Sequence, residues 1–237
     1  MKNKLDFLQF EDTTVALVKN EYIQDLIDVL PSSWHEIVST DNNETKCQAA
    51  IALWQNYLGE RLPNVLNQFQ SKLKNVELLE RCTDGVKRYS LLYSMIDTDG
   101  KCIYYEGRNP MDNIPERSEL EYWERLPMGI RDFYENVHDG FYHYMNRGMG
   151  FQPIKFTHFF EVVDEEIAEW NLEVGDYGEL WMEESHQLAF YWNNLGVAVS
   201  MDDSENSEKN AVLWKRNSLP QFKVDFWKTV DQLLICF

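Results

Sequence analysis

The apolar residues of this chain change their spacing partway along, and that change limits what it can fold into. Before Gly85 they recur at helical intervals. Tyr22, Ile23, Leu26, Ile27 and Leu30 form one stripe, closed by Pro31. Ala50, Leu53, Trp54, Tyr57 and Leu58 form a second within Glu44–Leu58, with Gly59 as its stop. Pro63 opens a third helix, in which Val65, Leu66, Phe69, Leu73 and Val76 face inward. After Gly85 the period becomes that of a strand. Residues 89–96 and 101–105 flank Asp97-Thr98-Asp99-Gly100 and read as a β-hairpin. That tetrapeptide lacks the later ligands of a calcium loop, so a turn is its expected role.

Asn109-Pro110 to Pro115 is rich in turn residues and marks the expected boundary between a region 1–110 and a domain 111–237. Ser118 with Glu121 predicts a short capped helix holding Leu120 and Trp123. Leu126-Pro127 starts another, with Ile130, Phe133, Tyr134 and Val137 on one buried stripe and Asp139-Gly140 at its end. A short helix near residues 164–170 follows, then strands at 178–183, 187–192, 197–201 and 211–214. Asn193 to Gly196 is a hairpin loop and 202–210 an exposed one. Ser218 predicts the cap of a final helix carrying Phe222, Phe226, Val230, Leu233, Leu234 and Phe237. The expected fold is α+β: an antiparallel sheet flanked by helices, preceded by a mainly helical N-terminal region with a hairpin.

Charge is distributed unevenly over this framework. The 237 residues carry a net charge of -18. Residues 1–110 hold 12 basic and 16 acidic side chains, against 10 and 24 in residues 111–237. From Phe156 to Glu208 there is no Lys or Arg and there are fourteen Asp and Glu. The same stretch contains Trp170, Tyr177, Trp181, Phe190, Tyr191 and Trp192, so it is not the composition of a solvated tail. Strand alternation puts Glu179, Trp181 and Glu183 on one face, with packing beneath a neighbouring helix the expected fate of the Trp. A segment of one sign attracts a basic partner and repels nucleic acid and acidic membranes.

Motifs for chemistry are missing. Cys47, Cys82, Cys102 and Cys236 are scattered, which fits a reducing compartment rather than a disulfide scaffold or zinc site. The five histidines show no metal-ligand spacing, and no cofactor is expected. His138 reads as a helix-end residue complementing the dipole. Phosphate loops and the G-x-S-x-G elbow are absent, and no carboxylate pair stands out as that of a glycosidase. Asp6, Glu11 and Asp12 interrupt any apolar signal core, and no apolar run reaches membrane-spanning length. A cytoplasmic location is expected.

Leu126-Pro127 to Tyr134, His138-Asp139-Gly140, Gly150-Phe151-Gln152-Pro153-Ile154, Gly178-Glu179-Leu180-Trp181 and the amphipathic run Phe226 to Leu234 occur in an order that resembles the SUKH superfamily. The resemblance covers residues 115–237; Asp139 stands where Asn is frequent in that family. It implies a non-enzymatic protein. Many bacterial members are immunity proteins that bind and neutralise a toxin, often a nuclease, and others are adaptors or regulators. Taken with the charge, it implies a basic cognate toxin as partner, met by Glu165, Glu166, Glu169, Asp176, Tyr177, Glu183 and Glu184, with Asp202 and Asp203 as a rim. An intracellular adaptor on the same fold and a carboxylate-based enzyme are the alternatives.

Overall fold

In a computed structural model, the chain is described over residues 13–112, 117, 119–145, 149–157, 187–193, 196–202, 207–215, 218 and 220–234. Strand β1 (Thr14–Leu17) comes first, then a 3-10 helix over Asn20–Val29. A 3-10 turn at Ser32–Trp34 runs into helix α1 (His35–Val38), followed by α2 (Asn43–Leu58) and α3 (Pro63–Lys72). Strands β2 (Leu73–Thr83), β3 (Val86–Ile96) and β4 (Cys102–Arg108) follow. Helix α4 (Met128–Asp132) passes without a break into a π-helical turn, Phe133–Val137. Strands β5 (Phe141–His143), β6 (Gly150–Phe151), β7 (Gln187–Asn193), β8 (Val197–Asp202), β9 (Ala211–Lys215) and β10 (Gln221–Val224) lead to helix α5 (Phe226–Leu233).

The ten strands form one antiparallel sheet in chain order. The α+β class expected from the sequence is therefore observed. The strands on either side of the expected boundary, β4 before it and β5 after it, pair with each other, Glu106 opposite Tyr142 and Gly107 opposite Phe141. The main apolar core draws on both sides of that segment, from Trp54 and Tyr93 to Phe151 and Val230.

Local chemistry explains most boundaries. Asn42 caps α2 by accepting the Thr45 N–H at 3.0 Å, and Asp225 caps α5 by accepting the Lys228 N–H at 3.0 Å. The Asp97 carboxylate accepts the N–H groups of Asp99 and Lys101, which folds the β3–β4 connection into a turn. Gly140, at φ +92°, lets the chain leave the π-helical turn against the backbone of Pro153; an added Cβ would stand 2.7 Å from its nitrogen.

Three expectations need correction. The third helix stops at Lys72, and Leu73 and Val76 are buried on β2. A bulge between Leu73 and Asn75 inserts one residue, so inward positions fall three apart and imitate a helical period. Tyr22 is 54% exposed, because its segment winds as a 3-10 helix with three residues per turn and the 3.6-residue stripe does not hold. The last helix begins at Asp225 rather than Ser218; Phe222 lies on β10 and is 46% exposed. Ile130, Phe133, Tyr134 and Val137 are fully buried as expected.

The helices cover one face of the sheet. Leu91, Tyr93 and Met95 of β3 point to them, and the alternate residue Leu92 lies on the opposite face with Val15, Leu79 and Tyr144. Ala189, Ala198, Val212 and Trp214 form a second apolar cluster outside the main core. The helical layer is tied across long sequence distances. Asp231 of α5 accepts the N–H groups of Asn64 (3.1 Å) and Val65 (3.0 Å), capping α3 from another helix. The Trp34 indole N–H donates to the carbonyl of Val137 at 3.0 Å. Asp231 is buried, so Asp231→Ala leaves two donors of α3 without an acceptor. The expected loss is about 1–3 kcal/mol of unfolding free energy in a denaturant titration at neutral pH. A change within the measurement error would mean that this cap contributes nothing.

Candidate functional site

On the sheet face away from the helices, register brings charged side chains together. Across β2 and β3, Arg81 stands opposite Arg88; across β3 and β4, Ser90 stands opposite Arg108 and Leu92 opposite Glu106. Two-residue periodicity sets Arg88 and Ser90, and likewise Glu106 and Arg108, on one side. The segment after β6 supplies Gln152, Pro153 and Lys155 as a further wall. Together these groups line a cleft of about 640 Å³, which also takes in Asp112 and Tyr142. That volume is in the range of a small-molecule site.

The charges in the cleft are not equally compensated. Arg81 holds Glu106 through two parallel hydrogen bonds, Nε to Oε1 at 2.8 Å and Nη2 to Oε2. Ser90 donates to the same carboxylate at 2.9 Å, and the Arg81 guanidinium lies 5.0 Å from the centre of the Tyr144 ring. Burial alone would lower the pKa of Arg81, but the hydrogen bond and charge of Glu106 outweigh it and raise it above the ordinary guanidinium value. This pair is the fork-to-carboxylate arrangement that survives burial.

Arg108 and Arg88 are different. Neither forms an ion pair within 4.0 Å among the described residues. Burial would lower the pKa of Arg108; Tyr142, Asp139, Glu106 and Asp112 together raise it. Asp112 Oδ2 is buried and accepts no hydrogen bond. Burial pushes the Asp112 carboxyl up to about 6, against the opposing pull of Arg108, Arg88 and Lys155.

Behind the cleft, the other face of the sheet holds a neutral polar chain. The Trp54 indole N–H donates to Tyr93 Oη at 3.2 Å, and Tyr93 Oη shares a hydrogen bond with His138 Nε2 at 2.8 Å, its direction set by the His138 tautomer. His138 is fully buried among Trp34, Trp54 and Phe141. Burial lowers its pKa to about 3, and the Arg108 carbonyl opposes that shift only in part. His138 does end the π-helical turn, but as a neutral core group. The expectation of a charged residue complementing a helix dipole is overturned by its burial. Gly107 makes room for this ring; a Cβ there would come within 2.4 Å of it.

Most of the contact positions singled out from sequence, Glu165, Glu166, Glu169, Asp176, Tyr177, Glu183, Glu184 and Asp203, lie outside the described residues, as does Trp181. Asp202 ends β8, and its side chain is likewise outside them. Glu208, the last carboxylate of the cation-free run, is bound internally to Arg61 at 3.3 Å, and its carbonyl accepts the Phe226 N–H at 2.7 Å. It therefore anchors the start of α5 instead of facing a partner.

Sequence reasoning missed the cleft. The alternation Arg88, Ser90, Leu92 within β3 is a usable signal, but the cleft needs Arg81, and the helical spacing that runs to Val76 hides the start of β2 and leaves residues 77–84 without an element. Among the described residues no cluster of His, Cys, Asp and Glu is suited to a metal ion, and no helix is long and apolar enough to cross a membrane. Comparison of the chain with protein-family models, curated proteins and solved structures finds no match.

Replacing Asp112 tests its electrostatic setting. In the unfolded chain an Asp ionises near pH 3.9, about two units below the folded value. The unfolded state then binds fewer protons between those limits, and stability falls as pH rises through about 6. Asp112→Asn removes that loss. Relative to the parent chain, the variant should be more stable at neutral pH than at about pH 4 when unfolding is followed in urea at both. Equal differences at the two pH values would place this carboxyl in water.

Proposed function

We propose that this chain is an immunity protein, acting in the cytoplasm, that binds and blocks a basic protein toxin. One observation carries the proposal: fourteen carboxylates and no cation between Phe156 and Glu208, in a stretch that also carries Tyr177 as an aromatic anchor. Nucleases are often basic because their substrate is a polyanion, and an acidic protein can mimic that substrate's charge. Opposite fields speed encounter, and aromatic anchors retain the complex once formed.

The packing of the motif residues supports the SUKH resemblance on which this reading rests. Pro127 precedes α4, the stripe Ile130, Phe133, Tyr134 and Val137 is buried, and Asp139-Gly140 turns the chain toward β5. The Asp139 carboxylate accepts the Ile154 N–H at 2.9 Å, so the residue that departs from the usual Asn still ties this corner to the segment after β6. Glu165, Glu166, Glu169, Asp176, Tyr177, Glu183 and Glu184 are the proposed contact residues, with Asp202 and Asp203 at the rim.

The test is co-expression with each basic toxin candidate found in a neighbouring reading frame. The chain should protect cells, and it should form a complex whose affinity falls with added salt. The triple variant E165K/E166K/E169K should weaken that complex by about a hundredfold or more and flatten its salt dependence. Unchanged affinity and salt dependence would remove these three residues from the interface. Failure to protect against any neighbouring toxin would remove the function.

A further inference from the structure

We propose that the cleft on the helix-free face is a binding site for a small phosphorylated molecule, with the phosphate held between Arg88 and Arg108. This inference is independent of the immunity reading and concerns a different surface.

Its first support is an imbalance of charge. In a chain with a net charge of -18, this cleft gathers Arg81, Arg88, Arg108 and Lys155. Glu106 is committed to Arg81 by two hydrogen bonds. Arg81 and Arg88 are direct cross-strand partners, a placement that costs stability when both stay charged and only one is compensated. Of the other carboxylates, half-buried Asp112 faces Arg88 and Arg108 but reaches neither within ion-pair distance, exposed Asp84 also lines the cleft, and buried Asp139, which acts on Arg108, accepts the Ile154 N–H. An oxyanion placed between the two guanidinium groups supplies what the protein leaves out.

The second support is geometry. A planar carboxylate is matched by one guanidinium fork, as Glu106 is matched by Arg81. Here the cations come from three elements: β3 gives Arg88, β4 gives Arg108, and the 3-10 turn Ile154–Phe156 gives Lys155. Convergence from several directions suits the three oxygens and double charge of a phosphate monoester. The cleft of about 640 Å³ greatly exceeds one phosphate, so room remains for an organic group beside Tyr142 and Pro153.

Asp112 makes the site sensitive to pH. The groups that face it are Arg108 on β4, Arg88 on β3, Asp139 after the π-helical turn, and Lys155. Ionised, its carboxylate competes with the ligand for the two arginines; protonated, it stops competing and gains a proton to donate.

The experiment is calorimetric titration of the full chain, at low ionic strength, with inorganic phosphate, a sugar phosphate, a nucleoside monophosphate and citrate. Sulfate, a dianion throughout the range, serves as the pH probe. At least one phosphate ester should bind about tenfold tighter than inorganic phosphate. Arg88→Ala and Arg108→Lys should each weaken it by about tenfold or more. Sulfate affinity should rise as pH falls through about 6, and Asp112→Asn should both tighten binding at neutral pH and flatten that profile. Arg88 lies only half-buried, so its variant is readable even if the Arg108 variant does not fold. Citrate binding as tightly as every phosphate ester would overturn the choice of ligand. No binding by any anion, or binding indifferent to Arg88→Ala, would overturn the site.

Discussion

Everything in this fold is organised around one buried contact: Tyr93 of β3, held between the Trp54 indole of α2 and the His138 ring at the end of the π-helical turn. Three elements meet there, and each contributes one polar atom that water cannot reach. The indole can only donate, so Tyr93 Oη must accept from Trp54 and spends its remaining capacity on His138. Phe69 and Phe141 pack on the Tyr93 ring, stacked and edge-on respectively, which fixes the helical layer against the sheet. Protonating His138 would place a charge in this cluster, so its lowered basicity is a condition of the packing.

The same strand shows how one sequence serves two environments. Leu91, Tyr93 and Met95 meet the helices, while Arg88 and Ser90 open onto the cleft. The His138 ring lies against Gly107 of β4, whose neighbours Glu106 and Arg108 line the cleft on the other side. The two faces thus meet opposite demands. On one side a basic group is kept neutral by burial, and on the other a guanidinium is kept charged by carboxylates nearby.

Much of this was legible in the sequence. The stripe Ile130 to Val137, the α2 and α3 starts and the β3–β4 hairpin followed from spacing and turn chemistry alone. Where spacing misled, the cause was a definite irregularity. The bulge after Leu73 gave a strand the period of a helix. The 3-10 winding of residues 20–29 moved Tyr22 off the buried face. The cleft was illegible for another reason: Arg81, Arg88, Glu106 and Arg108 meet only through strand register, and spacing along one segment does not carry register. The acidic run was plain to see, yet of its carboxylates Glu208 proves to be an internal anchor for Arg61. Net charge alone does not tell a binding group from a structural one.

The order of the strands has a consequence for how the chain reaches this state. Each described strand pairs with its predecessor, so every new strand finds its template already made as the chain emerges. Sheet growth is then local and carries little loop-closure cost between neighbours joined by tight turns. Sealing of the helical layer is the opposite. The start of α3 waits for Asp231, supplied by the last helix more than a hundred and sixty residues later. A nascent chain would therefore build most of its sheet while one side of it stays unsealed. The closing event would be the docking of α5, the step at which an exposed apolar face is finally withdrawn from water.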